Sequence, residues 1–271
     1  MGIDRRDFLK IAGLSALFGL GGKAAVDILA PGELEASMEA VPLTEGKRWA
    51  MAIDVHKLDD ELMDTITEAC HREHNVPDLG NPKDEIKWIW KEDYEHSFPG
   101  QQHHYIGEDI KKGSFLLLCN HCSNPPCCRV CPTKATWQRE DGIVMMDQHR
   151  CIGCRFCMAA CPFGARSFNW GDPRLASEVE ELNKLNPDFP TNRDYPTRSK
   201  GVVEKCTFCA ERLAKGEIPA CVEAANKVKE NALTFGDLAD PDSDVRAVLR
   251  KHYSIRRKPE LGTEPNVFYI V

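Results

Sequence analysis

Trp49, Met51, Ile53 and Val55 fall at every second position of RWAMAIDV, the period of a half-buried strand. The period then changes. In KLDDELMDTITEACHREHNVPD, residues Leu62, Ile66, Ala69 and Cys70 share one face of a helix that Asp59 or Asp60 can cap and Pro77 stops. Cys70 therefore lies on the inward face near the helix C-terminus. Residues 82–111 lack a steady period and mix polar side chains with Trp88, Trp90, Tyr94, Phe98, His103 and His104. They predict a surface insertion with some strand character, its aromatics used for packing. DGIVMMD predicts a turn and a short strand, RSFNW a closing strand, and VVEKCTFCAERLAKG a strand, a loop and a helix that Gly216 ends. Residues 171–200 carry Pro173, Pro187, Pro190 and Pro196 around one short helical piece, ASEVEELNKL, a connection long enough to suggest an interface. The tail runs from ALTFGDL through a charged helix, DSDVRAVLRKHY, to the extended apolar EPNVFYIV, which docks on its own body or on a partner.

Strands and helices in this order give an α+β chain, and 271 residues exceed the usual single core. The net charge of −7 is spread among interspersed acidic and basic residues, so there is no basic stripe for nucleic acid. No apolar run approaches the ~18 residues of a transmembrane span. A haem-attachment sequence, a phosphate-binding glycine loop and a nucleophile constellation are all absent, so no catalytic site of its own is expected. The N-terminus, MGIDRRDFLKIAGLSALFGLGG, resembles a twin-arginine export signal through Arg5, Arg6, Phe8, Leu9 and Lys10, with Asp4 where serine or threonine is usual. That resemblance implies a signal and linker over residues 1–40 and export of the folded chain to the periplasm. An ordinary amphipathic helix is the competing reading, and its glycines disfavour it.

Thirteen cysteines change the picture most. Cys151, Cys154, Cys157 and Cys161, followed by Pro162, have the bacterial ferredoxin spacing C-x2-C-x2-C-x3-C-P. Cys119, Cys122, Cys127 and Cys131, followed by Pro132, differ by a two-residue expansion. Three thiolates of one such run hold a [4Fe–4S] cube, and the fourth crosses to the other cube. This assigns Cys119, Cys122, Cys127 and Cys161 to site A and Cys151, Cys154, Cys157 and Cys131 to site B. A tight loop must aim three sulfurs at one point, so Gly153 is expected in a left-handed conformation. A zinc ribbon, a disulfide scaffold and buried packing are the competing readings; zinc favours paired knuckles closing one centre, and C-x2-C neighbours are poorly placed to bridge.

The chain after residue 40 resembles the four-motif iron–sulfur electron-transfer subunits of periplasmic membrane redox complexes, the NrfC/PsrB/HybA family. RWAMAID, EACHREHNVP, FLLLCNHCSNPPC, DGIVMMDQHRCIGCRFCMAACPFGARSFNW and VVEKCTFCAERL carry the likeness. It implies two ferredoxin-like subdomains related by a pseudo-twofold repeat, with long insertions and an extended tail. The inner module spans about 114–170; the outer joins about 48–80 to 201–236, and the tail covers 237–271. In the family the first run pairs with the fourth. Here the fourth keeps Cys206, Cys209 and Cys221 but has Ala225 for its last cysteine, and the first keeps only its last, Cys70. All four ligands of one cube are thus missing together. The resemblance implies a third cube, site C, on Cys206, Cys209, Cys221 and Cys70, with a buried structural thiol or ligation by His71 as alternatives for Cys70. Cys128 is left over and reads as a packed free thiol; His71 and His121 lie beside ligands and can tune a cluster.

By resemblance the chain relays electrons between an integral membrane quinone-interacting subunit and a multihaem c-type cytochrome subunit, in sulfur metabolism linked to sulfite reduction. A polysulfide-reductase, nitrite-reductase or hydrogenase type of complex, an enzyme subunit with an open cluster, and a free shuttle are the alternatives.

Overall fold

The computed structural model describes residues 46–79, 81–173, 192, 195, 196 and 198–271. The export signal with Arg5 and Arg6, and the helical piece 176–185, lie outside the described residues. In chain order the elements are β1 (Trp49–Asp54), α1 (Asp60–His74), β2 (Ile89–Asp93), α2 (Tyr94–Ser97), α3 (Glu108–Lys112), β3 (Ser114–Leu118), α4 (Pro126–Arg129), β4 (Thr136–Gln138), β5 (Val144–Met146) and α5 (Phe156–Ala160). Then follow β6 (Ser167–Phe168), β7 (Val203–Glu204), α6 (Ala210–Ala214), α7 (Ala220–Val228), β8 (Leu233–Asp237), α8 (Asp244–Lys251), β9 (Ser254–Ile255) and β10 (Val267–Ile270). The architecture is mixed, with four strands in one sheet ordered β8, β1, β10, β9 and three separate two-stranded pairs, β2–β3, β4–β5 and β6–β7.

β1 forms at the predicted place but ends before Val55. It is buried on both faces, Ala50 and Ala52 as fully as Met51 and Ile53, because it lies inside the sheet, antiparallel to β8 and parallel to β10, with Met51 opposite Val267. The apolar tail therefore docks on its own body: Val267 and Tyr269 are fully buried, and the Tyr269 hydroxyl donates to the Leu116 carbonyl at 3.2 Å. Residues 82–111 depart from the expected surface insertion. Trp88, Trp90, Tyr94 and Phe98 are buried, and Phe98 meets Phe115 and Tyr269 edge-on at 5.2 Å each. His103, His104 and Tyr105 are exposed, along with charged and polar side chains such as Lys83, Lys91, Glu95 and His96. The segment lacks a clean period because β2 and two short turns of helix each present a different face to one core.

α1 starts at Asp59, whose carboxylate accepts from the Leu62 N–H at 2.8 Å, and ends at Asn75 in a left-handed cap. It buries Leu62, Met63, Ile66, Cys70 and His74, and packs along α7, which contributes Val222 and Ala225. Each such aliphatic side chain stabilises by about 1.5–3 kcal/mol on burial.

Candidate metal centres

All thirteen cysteines are free thiols, so the disulfide reading finds no support. Cys119, Cys122, Cys127 and Cys161 line one cavity, walled by Pro126, Val144, Phe163 and Arg166. Cys119 and Cys122 follow β3, Cys127 sits on α4 and Cys161 ends α5, so both runs reach this cavity. The tail fixes this loop: Ser123 and Asn124 donate N–H groups to the Glu264 and Thr263 carbonyls, and the Asn266 side-chain amide donates to the His121 carbonyl at 2.7 Å.

Cys151, Cys154 and Cys157 share one loop and the start of α5. Gly153 within it has φ +72°, and a Cβ there would lie 2.5 Å from the Gly201 carbonyl oxygen. The position is restricted to glycine twice over, by conformation and by space. α4 packs on α5, and Cys131 follows α4 directly. Burial would raise the Cys131 thiol, but N–H groups of Thr136, Ala135 and Thr133 and the Thr133 hydroxyl together bring it down. Cys131, Cys151 and Cys154 are half-buried.

Cys70 on α1 faces Cys206, Cys209 and Cys221, whose charges act on it, and all four are buried. Phe208 and Cys209 take left-handed conformations that open α6, and the Phe208 N–H donates to Cys206 Sγ and the Ala220 N–H to Cys209 Sγ, each at 3.4 Å. His71 is held down to about 4 by burial, and its Nε2 finds no partner among the described residues. The segment where the resemblance implies three further cysteines forms most of helix α1, and Met63, Ile66 and Ala225 fill that region with apolar, fully buried side chains.

Burial pushes the thiols of Cys122 and Cys221 up to about 12 and holds Cys70, Cys206 and Cys209 above the ordinary thiol value. Neighbouring cysteines reinforce it at Cys70, Cys122, Cys206 and Cys209. Thiolates so placed need a compensating cation, which iron supplies, and soft sulfur donors in fours suit it. The residues present thus fit the cofactor.

The sets also stand in order. Cys127 of A acts on Cys157 of B, and Cys119 of A acts on Cys206 of C. His121, fully buried between Cys119 and Cys122, stacks on Phe208 at 3.7 Å and 19°, joining the A loop to the C loop. Its Nδ1 accepts from the Val144 N–H at 3.1 Å; burial first, then Lys205 and Arg166, keep the ring neutral. Cys128 sits beside Cys127 as a half-buried thiol, raised by its hydrogen bond to Cys127. Arg166, Lys205 and Phe208 were not singled out by sequence reasoning. The only signal for Lys205 and Phe208 is adjacency to a cysteine, and for Arg166 its place just beyond the second run.

Thiol sets of this kind, on ferredoxin-type loops, define an iron–sulfur protein that binds [4Fe–4S] clusters and transfers electrons. The 4Fe-4S dicluster domain family matches residues 114–176, which include all of sites A and B. The chain is 40% identical to the Hdr-like menaquinol oxidoreductase iron-sulfur subunit 1 of Archaeoglobus fulgidus, covering 98% of its own length and 97% of that protein. It is 32% identical to the iron-sulfur cluster-binding subunit of the menaquinone reductase of Nitratidesulfovibrio vulgaris over 82% and 88%, and 32% identical to the NrfC homolog of Haemophilus influenzae over 93% and 92%. The chain belongs to this family of iron–sulfur subunits of oxidoreductase complexes.

Proposed function

We propose that the chain carries three [4Fe–4S] clusters, in sites A, B and C, and relays electrons within a membrane quinone oxidoreductase complex. Cys119, Cys122, Cys127 and Cys161 would hold one cube, Cys151, Cys154, Cys157 and Cys131 the second, and Cys206, Cys209, Cys221 and Cys70 the third. The observation that carries this reading is the meeting of Cys70 with the three cysteines of the last run, while apolar side chains fill the region of the missing set. When bound, each cube takes up and returns one electron. The chain's residues do the rest: they hold the sulfurs, exclude water at C and place A between B and C.

The coupling to quinone rests on relatives named as subunits of a menaquinol oxidoreductase and a menaquinone reductase. Among the described residues no helix is long and apolar enough to cross a membrane, so a membrane quinone-interacting subunit would supply that chemistry. A multihaem c-type cytochrome would be the other partner, and Arg5 and Arg6 would direct folded export to the periplasmic side. Within the family we assign the chain to the DsrO type, the iron–sulfur subunit of the sulfite-reduction-linked DsrMKJOP complex. The inner module 114–170 and the outer module 48–80 with 201–236 are part of the same proposal. Relatives from polysulfide and tetrathionate reductases keep a second complex type in view. Site B would be the outlet: its loop carries Ile152 and Phe156, 66% and 59% exposed, and Arg155 lies 4.7 Å over the exposed Trp170 ring. The tail, engaged in the sheet and the A loop, is occupied within the chain.

Iron and acid-labile sulfide counts test the reading. Three cubes of four irons predict twelve irons per chain. A count of eight or sixteen overturns the ligand assignment.

A further inference from the structure

Two buried cations stand among these thiols without a carboxylate ion-paired to them. Arg166 is 5% exposed and lines the A cavity; its guanidinium donates to Thr136 Oγ1 at 2.8 Å and reaches Met146 Sδ at 3.8 Å. Lys205 is 1% exposed, and its ammonium donates to the Cys206 carbonyl at 2.7 Å and to the Val144 carbonyl, on the wall of the A cavity. Neither forms an ion pair with a carboxylate among the described residues. The contrast lies nearby. Arg198, equally buried, has Glu204 at 2.6 Å.

Buried charge without an ion-pair partner is costly, and an apolar side chain would fill either place at less expense. What each cation faces is sulfur. Arg166 faces Cys119, Cys127 and Cys161 of site A and Cys157 of site B, and its guanidinium hydrogen-bonds the sulfurs of Cys127 and Cys157. Lys205 faces Cys127 of A and Cys206 of C, with the Glu211 carboxyl beyond ion-pair distance. A cube with four thiolates is net negative and becomes more so on reduction, so a fixed neighbouring cation favours the reduced form and raises the potential.

We propose that Arg166 and Lys205 are positioning residues for electron transfer: fixed cations at the B–A and A–C junctions that raise the potential of the central site most, because only that site touches both. Without them the middle position would carry the repulsion of two anionic neighbours and stand as an uphill step. With them, charge passes from either end through A. This inference rests on the three-site reading above.

EPR-monitored redox titration of the full chain with its clusters tests it, with signals assigned through Cys154→Ser for B and Cys209→Ser for C. Arg166→Gln should lower the midpoints of A and B and leave C in place; Lys205→Gln should lower A and C and leave B in place. The double variant should lower A by the sum of the two shifts. Arg166→Lys and Lys205→Arg, which keep the charge, should hold wild-type midpoints. Unmoved midpoints in the Gln variants, or equal shifts in the charge-keeping variants, overturn the proposal in favour of a packing role. If the Gln variants fail to assemble clusters, assembly at wild-type midpoints in the charge-keeping pair supports it, and failure there overturns it. A wild-type chain with only two reducible centres removes the Lys205 arm together with site C. The Arg166 arm, read on A and B, still decides.

Discussion

At single residues the iron sites are local devices, and their failures should be local. Adding a Cβ at Gly153 forces a left-handed alanine, costing about 1–2 kcal/mol, against a carbonyl only 2.5 Å away that belongs to backbone and cannot swing aside. Gly153→Ala is expected to lose four irons from site B while A and C keep their signals, which iron analysis with EPR would check. Cys70→Ser should alter only the C signal, whereas Cys128→Ser should leave the iron count unchanged. Either result reversed would break the ligand assignment. The cysteine spacing pointed to A and B in the sequence, because three thiols of each proposed set come from a loop shorter than ten residues, and the structure brings the A thiols to one cavity. Arg166, Lys205 and the His121–Phe208 stack were not legible, since each depends on which loops meet in space.

Between elements, the distinctive contact is α1 against α7, where apolar side chains fill the region in which the family resemblance implies a further cysteine set. Met63→Ala should cost about 2–5 kcal/mol in denaturant unfolding, the range for a large side chain truncated in a close-packed core, and should not change the iron content. A loss of iron would mean that a cluster binds there after all. The ion pair of Arg198 with Glu204 joins β7 to the loop after α1, for Glu204 also accepts from Trp88 Nε1 at 3.0 Å and Arg198 donates to the His74 carbonyl at 2.7 Å. Glu204→Gln is expected to destabilise by about 3–5 kcal/mol because it strands a buried guanidinium. Alternation located β1 and helical spacing located α1, but nothing in either pattern says that the last strand, β10, inserts beside the first. Parallel pairing across more than two hundred residues leaves no trace in local periodicity.

For the whole molecule, the burial of the thiols sets a polarity. Site C is enclosed on every ligand, A is nearly so, and B keeps three half-buried cysteines beneath the exposed side chains of Ile152 and Phe156. Exposed aliphatic and aromatic groups over a redox loop suit a transient contact, since apolar contact brings a partner close without fixing it by many polar bonds. Ile152→Ser with Phe156→Ser removes that contact and leaves the cysteines and both buried cations untouched. Iron content and midpoint potentials should stay at wild-type values. The rate at which quinol reduces the clusters in membranes, or at which reduced clusters pass electrons onward, should fall about tenfold, equivalent to about 1.4 kcal/mol of lost contact. Which of the two steps slows tells whether B faces the quinone-interacting subunit or the other partner. If both proceed at the wild-type rate, charge leaves by another face, and Ile218 and Val228, exposed on the elements around site C, become the place to look.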